Sequence, residues 1–504
     1  MCVVRRFDRR ERMGFSVLIF YFLCFSMSDS NRERLSKIRS TLAACEQEHL
    51  LAHWEVLSDE QQTVLLDDIE QISFAALPQL VEKQVKSAQP FALSKTIEPA
   101  DFFPAKPGID LVGSYADAVK RGVSLIRRNK VAVMTVAGGQ GTRLGFDGPK
   151  GAFCISPVKN KPLFQLFAEY LRGTNRRYAA DLAWYIMTSP QNDGETKAFF
   201  EANGFFGLSP EKVRFFQQGV MPAFSREGKI LLDQKHRIAF SPDGHGGSLL
   251  ALRRSGVLAE MAAADIDHIS YVQVDNPLVR VVDPLFIGLH DLHGSAMSSK
   301  TIPKADDLER VGNFVIGDGK TMVIEYSDLP ERYARARDEA GQRRFDAASI
   351  AIHILSRSFV EELTADESAF ALPWHRAEKK VPSIDAEGRR IEPERPNAIK
   401  LEAFVFDAIP MAQKPLILQT TRAEEFSPVK NPSGVDSAET SRRDLNRRSA
   451  DWLDRAGFTV PRRSDGEPDG RFEISSLLAL DGAHLREVML ERPNMTAGAE
   501  HYWE

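Results

Sequence analysis

The sequence predicts an α/β fold, a sheet whose strands alternate with helices and offer their carboxyl edge to ligands. Two observations lead there. From residue 131 onward, short apolar β-branched runs alternate with stretches whose apolar residues recur every three or four positions. The first such run, VAVMTV at 131–136, stops abruptly in Ala137-Gly138-Gly139-Gln140-Gly141, a glycine loop at a strand tip. With 504 residues, 43% of them hydrophobic, the chain can build two or three domains with substantial cores.

Residues 1–12 are basic and 14–26 apolar, like the opening of a signal peptide, yet the apolar run is short for a bilayer. MSDSNRERLSKI follows and reads as a natural start, so Met27 is the expected initiator and 1–26 a non-native extension or a signal-like segment. Residues 27–105 are expected to form a helical region. Leu35, Ile38, Leu42 and Cys45 recur at helical steps, as do Val64, Leu65, Ile69 and Ile72. Pro90, Pro99, Pro104 and Pro107 then predict an extended linker.

The alternating core occupies 106–430. Its predicted elements are a helix at 162–172 closed by Gly173, a strand at 182–188, a helix at 195–202 and a strand at 213–217. A helix at 249–261 follows, then a strand at 269–274 carrying Asp275 at its tip, and a hairpin at 313–326 turned at Asp318-Gly319. Residues 431–504 are short in pattern and arginine-rich, suggesting a small C-terminal domain.

Net charge of −5 gives no electrostatic reason to expect a nucleic-acid partner. Four cysteines without C-x-x-C spacing argue against zinc and against a disulfide framework, and fit a reducing cytoplasm. No membrane partner is expected.

The glycine loop, followed by Arg143 and Lys150, describes a phosphate-handling site. Spacing removes two common versions. A P-loop needs G-x-x-x-x-G-K-[ST], and no Lys-Ser or Lys-Thr follows at that interval. A dinucleotide fingerprint needs G-x-G-x-x-G opening a helix, but Leu144 stands where the third glycine belongs and Gly148-Pro149 would break the helix. This weakens any reading as a nicotinamide-dependent oxidoreductase.

The segment GGQGTRLG…PK resembles the signature loop of UTP-dependent sugar-1-phosphate uridylyltransferases. Further matches run through FFQQGVMPA (215–223), SPDGHGG (241–247), VQVDNPLV (272–279), PNAIKLEAFVFD (396–407) and FSPVKN (426–431). They appear in order over most of the chain. The likeness is stronger to UDP-N-acetylglucosamine pyrophosphorylases than to UDP-glucose pyrophosphorylases.

The resemblance implies a Rossmann-like, GT-A-like mixed sheet of the nucleotide-diphospho-sugar transferase type. It also implies a reaction in which a sugar-1-phosphate oxygen attacks the α-phosphorus of UTP and pyrophosphate leaves. Positioning and charge neutralisation dominate such chemistry. The catalytic cations so implied are Arg143, Lys150 and Lys430; Gly138, Gly139, Gln217 and Gly244 would hold the nucleotide. His245, Ser349, Phe404, Phe406 and Lys400 would hold the sugar-phosphate, and Asp275 a magnesium or manganese ion. Sequence alone does not separate Gln217 from Gln218.

The sugar side departs from the acetylglucosamine pattern. His245 stands where Asn is typical, Pro303 where Glu is expected near Lys300, and Ser349 where Asn is expected. The resemblance favours N-acetylglucosamine-1-phosphate, while the altered positions favour glucose-1-phosphate or another hexose-1-phosphate. A non-catalytic nucleotide-sugar-binding protein is a further reading, opposed by the intact set Gly138, Gly139, Arg143, Lys150, Asp275 and Lys430.

Overall fold

The computed structural model describes residues 29–87, 93–366, 372–491 and 494–504. The expectation for residues 1–26 therefore lies outside the described residues. No helix among the described residues is long and apolar enough to cross a membrane.

The chain forms two compact units that do not follow linear boundaries. One gathers Met1–Gln89, Val220–Ser241 and Arg376–Leu401; the other holds Pro90–Gly219, Pro242–His375 and Glu402–Glu504. In the first, helices Asp29–Ala44 and Asp59–Glu70 bury Leu35, Leu42, Leu65 and Ile69, as their spacing predicts. Ser58 starts the second helix, its hydroxyl accepting from the Gln61 amide N–H while the Gln61 side chain answers the Ser58 N–H. Segment 220–241 belongs here because buried polar groups claim its backbone. The Gln47 amide donates to Gly228 O and accepts from Ile230 N, and Asp68 accepts from Ile238 N. Such long-range pairing leaves no trace in local periodicity.

The second unit is built on a ten-stranded mixed sheet. We number its strands β1 (Ile97–Pro99), β2 (Val131–Val136), β3 (Trp184–Thr188), β4 (Val213–Gln217), β5 (His268–Gln273), β6 (Met297–Pro303), β7 (Asn313–Gly317), β8 (Lys320–Ile324), β9 (Ala347–Ser356) and β10 (Leu416–Gln419). The order is β1-β7-β9-β5-β2-β3-β4, with β8 beside β7 and the pair β6 and β10 extending from β9. Strands β5, β2, β3 and β4 run parallel, so their carboxyl ends share one edge.

Strand β2 is buried on both faces, which explains its unbroken apolar run. Val131 and Val133 join Phe164, Phe167 and Trp184 on one side, while Ala132 and Met134 join Leu249, Leu252 and Met261 on the other.

Three expectations need correction. The helix predicted to stop at Gly173 runs Leu163–Tyr178. Gly173 is there for close packing, because a Cβ would fall 2.1 Å from Ser476 O, and the left-handed residue Ala179 ends the helix instead. The helix expected over 249–261 is two, Gly247–Arg254 and Val257–Ala263, divided at Gly256 with φ +79°. The proline-rich linker contributes an edge strand, β1, paired antiparallel to β7. Within residues 431–504, Trp452, Leu453, Phe472 and Leu485 share a buried cluster, while Leu445 and Leu480 pack into the main core of the second unit.

Candidate active site

The glycine loop hangs from the carboxyl end of β2 and is held by a residue the sequence reading missed. The buried Asn192 amide donates to Ala137 O (2.9 Å) and Gly139 O (3.3 Å), while its oxygen accepts from Ser189 N (2.8 Å). Gln140 bridges back to Pro149, and Lys150 N donates to Gly139 O, so Lys150 is carried home by the loop's own closure. Its Nζ lies 3.4 Å from Asp275 at the tip of β5, with both side chains more than 80% buried (17% and 14% exposed). Arg143 stands apart, exposed in the short turn Thr142–Leu144, with no ion-pair partner among the described residues.

Gly138 and Gly244 enclose one side chain. A Cβ on Gly138 would meet Gln218 Oε1 at 2.8 Å, and the Gln218 Nε2 donates to Gly244 O (2.8 Å) and Asp243 Oδ1 (3.2 Å). Gly244 itself has φ +86°, and a Cβ there would fall 2.3 Å from Ala403 O. Gln217, by contrast, is exposed and hydrogen-bonded to Asp193. The alternation of side chains along a strand decides this, and it brings Gln218 to the glycine loop rather than Gln217. Burial pushes the Asp243 carboxyl up to about 6, against the pull of its bond from Gln218.

Beside Asp275 opens a cavity of about 200 Å³ that collects predicted residues from five distant segments: His245, Asp275, Ser349, Phe406 and Lys430. The sheet makes this space by splitting. The early part of β9 meets β7 at Ala348, its end pairs with β5 from His353, and the residues between line the cavity. Ala351, at the split, takes a left-handed φ of +54°. Lys430 arrives on the segment after β10, whose Val429 N donates to Asp275 O (2.8 Å). Asn276 fixes the same segment, its amide donating to Glu425 O (2.6 Å) and accepting from Ser427 N (3.1 Å).

His245 is a neutral donor by construction. The Val405 N–H donates to its Nδ1 (3.1 Å), which leaves the proton on Nε2. Burial, reinforced by nearby His375 and Lys430, holds its pKa down to about 4. Its ring stacks on Phe404 (5.1 Å between centroids), and His375 covers Phe404 from 4.3 Å. His375 Nε2 meets Asp407 Oδ2 at 2.8 Å; although burial opposes its charge, that carboxylate raises its pKa.

Pro303 stands where the resemblance expects a Glu. Pro303 is exposed at the end of β6 and does not line the cavity, whereas Glu325, just past β8, does. Burial raises the Glu325 carboxyl. The hairpin of β7 and β8 delivers it, so the sequence signal was the Asp318-Gly319 turn rather than any motif. Arg310, exposed at the cavity lining, was also missed. Lys400 lies half-buried in the strand Ala398–Ala403 and belongs to the other compact unit. Among the described residues no group of three or more His, Cys, Asp or Glu side chains is placed to hold a metal ion.

Residues 108–450 match the family described as UTP–glucose-1-phosphate uridylyltransferase. The chain belongs to this family. It is 35% identical over 481 residues to human UDP-N-acetylhexosamine pyrophosphorylase-like protein 1, covering 90% of this chain and 94% of that protein. It is 34% identical over 458 residues to the UDP-N-acetylglucosamine pyrophosphorylase of Saccharomyces cerevisiae, covering 88% and 94%. A solved structure of the uridine diphosphate N-acetylglucosamine pyrophosphorylase from Trypanosoma brucei superposes with a TM-score of 0.78 at 28% identity, covering 95% of this chain and 99% of that one. Membership in the uridylyltransferase family makes the protein a nucleotidyltransferase, and it accounts for a glycine loop that fits neither a P-loop nor a dinucleotide fingerprint.

Proposed function

We propose that this chain transfers the uridylyl group of UTP to N-acetylglucosamine-1-phosphate and releases pyrophosphate. One observation carries the reading: Asp275 lines the cavity and sits 3.4 Å from Lys150, joining the sugar side to the glycine loop. The loop, with Gly244 and Gln218, receives the uridine. Arg143 and Lys150 neutralise the departing pyrophosphate, and Lys430 orients the phosphate of the incoming sugar.

Asp275 would supply a hard oxygen of the kind magnesium or manganese takes. Such an ion, when bound, would draw charge from the phosphates. Glu325, Ser349 and the neutral His245 address the sugar hydroxyls, with Phe406 as an apolar wall. UTP and sugar phosphates place the work in the cytoplasm.

A second reading rests on His245 and Ser349. Two amides are absent from the pocket, and an imidazole donor plus a short hydroxyl suits glucose-1-phosphate. Incubating the protein with UTP, Mg²⁺ and a panel of sugar-1-phosphates, and measuring pyrophosphate release, decides between them. Preference for N-acetylglucosamine-1-phosphate supports the first reading; preference for glucose-1-phosphate overturns it in favour of the second; no release with any sugar sinks both.

A further inference from the structure

On the edge of the sheet opposite the glycine loop, a second cavity of about 320 Å³ opens beside the amino ends of β3 and β4. Its charged lining is Arg172, Arg176, Lys212 and Asp181. Lys212 pairs with Asp181 at 2.8 Å, leaving two arginines uncompensated in a chain whose overall charge is −5. Arg172 and Arg176 lie one turn apart on the helix Leu163–Tyr178, where like charges repel. Neither has a carboxylate partner among the described residues, whereas the adjacent Arg177 pairs with Glu487 at 3.1 Å.

Arg172 is nevertheless held in place, and the way it is held is unusual. Gly204, Phe205, Phe206 and Gly207 are four successive residues with left-handed φ, from +50° to +79°. Phenylalanine seldom takes that conformation, because its Cβ crowds the following carbonyl. Packing of both rings on Phe200 (6.1 and 5.3 Å between centroids) sustains it. The result is delivered to Arg172: its Nη1 donates to Phe206 O (3.0 Å), and Gly207 lies so close that a Cβ would fall 2.9 Å from the guanidinium carbon. A carbonyl fixes the arginine without cancelling its charge, as a carboxylate would. A strained turn spent on orienting an unneutralised guanidinium is the structure of an anion receptor.

We infer that the cavity of Arg172, Arg176 and Lys212 is a second anion site that takes small phosphate-bearing ligands, separate from the reaction centre. Guanidinium forks suit phosphate oxygens two at a time, and Lys212 can turn from Asp181 to a bound anion. This goes beyond the reaction proposed above and does not depend on it. The test is isothermal titration of the full chain with inorganic pyrophosphate, and separately with UTP, which distinguishes a free anion from a nucleotide's phosphate tail. Wild type is expected to show two binding events for at least one of them. Arg176→Glu, an exposed substitution, should weaken one event about tenfold or more while sparing turnover, and Lys212→Gln should weaken the same event less. Arg143→Ala should act on the other event only, so a failure of the loop assignment shows up separately. If both titrations of Arg176→Glu match wild type, the second site does not exist.

Discussion

The two halves of the active site are built on opposite principles. The phosphate half is local in sequence and charged: glycine loop, Arg143 and Lys150 lie within residues 138–150, and Lys150 reaches Asp275 directly. The sugar half draws on His245, Glu325, Ser349 and Phe406, brought together by a split in the sheet, while Lys430 enters the same cavity as a distant cation proposed for the sugar's phosphate. Of these, burial holds the His245 pKa down to about 4 and raises that of the Glu325 carboxyl. In the proposed reaction, charge serves the phosphates common to every sugar-1-phosphate. Neutral donors, hydroxyls and ring faces are what can tell one sugar from another.

The comparison can be broken most forcefully on the phosphate side. Lys430→Ala should lower kcat/KM about 10²–10³-fold in the pyrophosphate-release assay, since it removes a cation aimed at charge in the transition state. The fall should be equal for all sugar-1-phosphates. Glu325→Gln should instead raise KM for the preferred sugar, by roughly 1–3 kcal/mol in binding, with kcat less affected. A drop in kcat alone would show that Glu325 acts on the reacting atoms.

Two smaller effects sharpen the structural side. Asn192→Ala leaves the buried Ala137 carbonyl and Ser189 amide without their partner, so urea unfolding should report a loss of about 1–3 kcal/mol. Unchanged stability would mean the loop is held otherwise. Acid should weaken the fold through buried neutral imidazoles. Burial holds His290 and His353 near 3 and His245 near 4, below their ordinary 6.5. Between those values the unfolded chain binds more protons than the native one, so stability falls as pH drops from 6.5. The slope is at most about 1.4 kcal/mol per pH unit for each histidine. His290→Gln should flatten that slope in unfolding curves compared at pH 7 and pH 5; an unchanged slope would remove His290 from the account.

The same contrast explains what could be read from the sequence. Strands β2 to β5 and the 313–326 hairpin follow from local runs and from turn residues such as Asp318-Gly319, whose left-handed φ values the structure shows. The cations near the loop were legible because spacing carries them. Gln218 was indistinguishable from Gln217 until the strand's facing was known. Glu325 gave no signal of its own, because no local pattern says which hairpin residue will line the cavity beside β9. Asn192 gave no signal beyond following Ser189-Pro190 after a strand. Gly173 read as a helix end, since a glycine needed for close approach to Ser476 looks the same in sequence as a cap.

The division of labour within the site is best tested by one ratio, kcat/KM for N-acetylglucosamine-1-phosphate over that for glucose-1-phosphate, in wild type, Lys430→Ala and His245→Asn. The structure predicts that Lys430→Ala leaves the ratio within about twofold while His245→Asn shifts it about tenfold. A ratio that moves with Lys430 and stays fixed with His245 would contradict it.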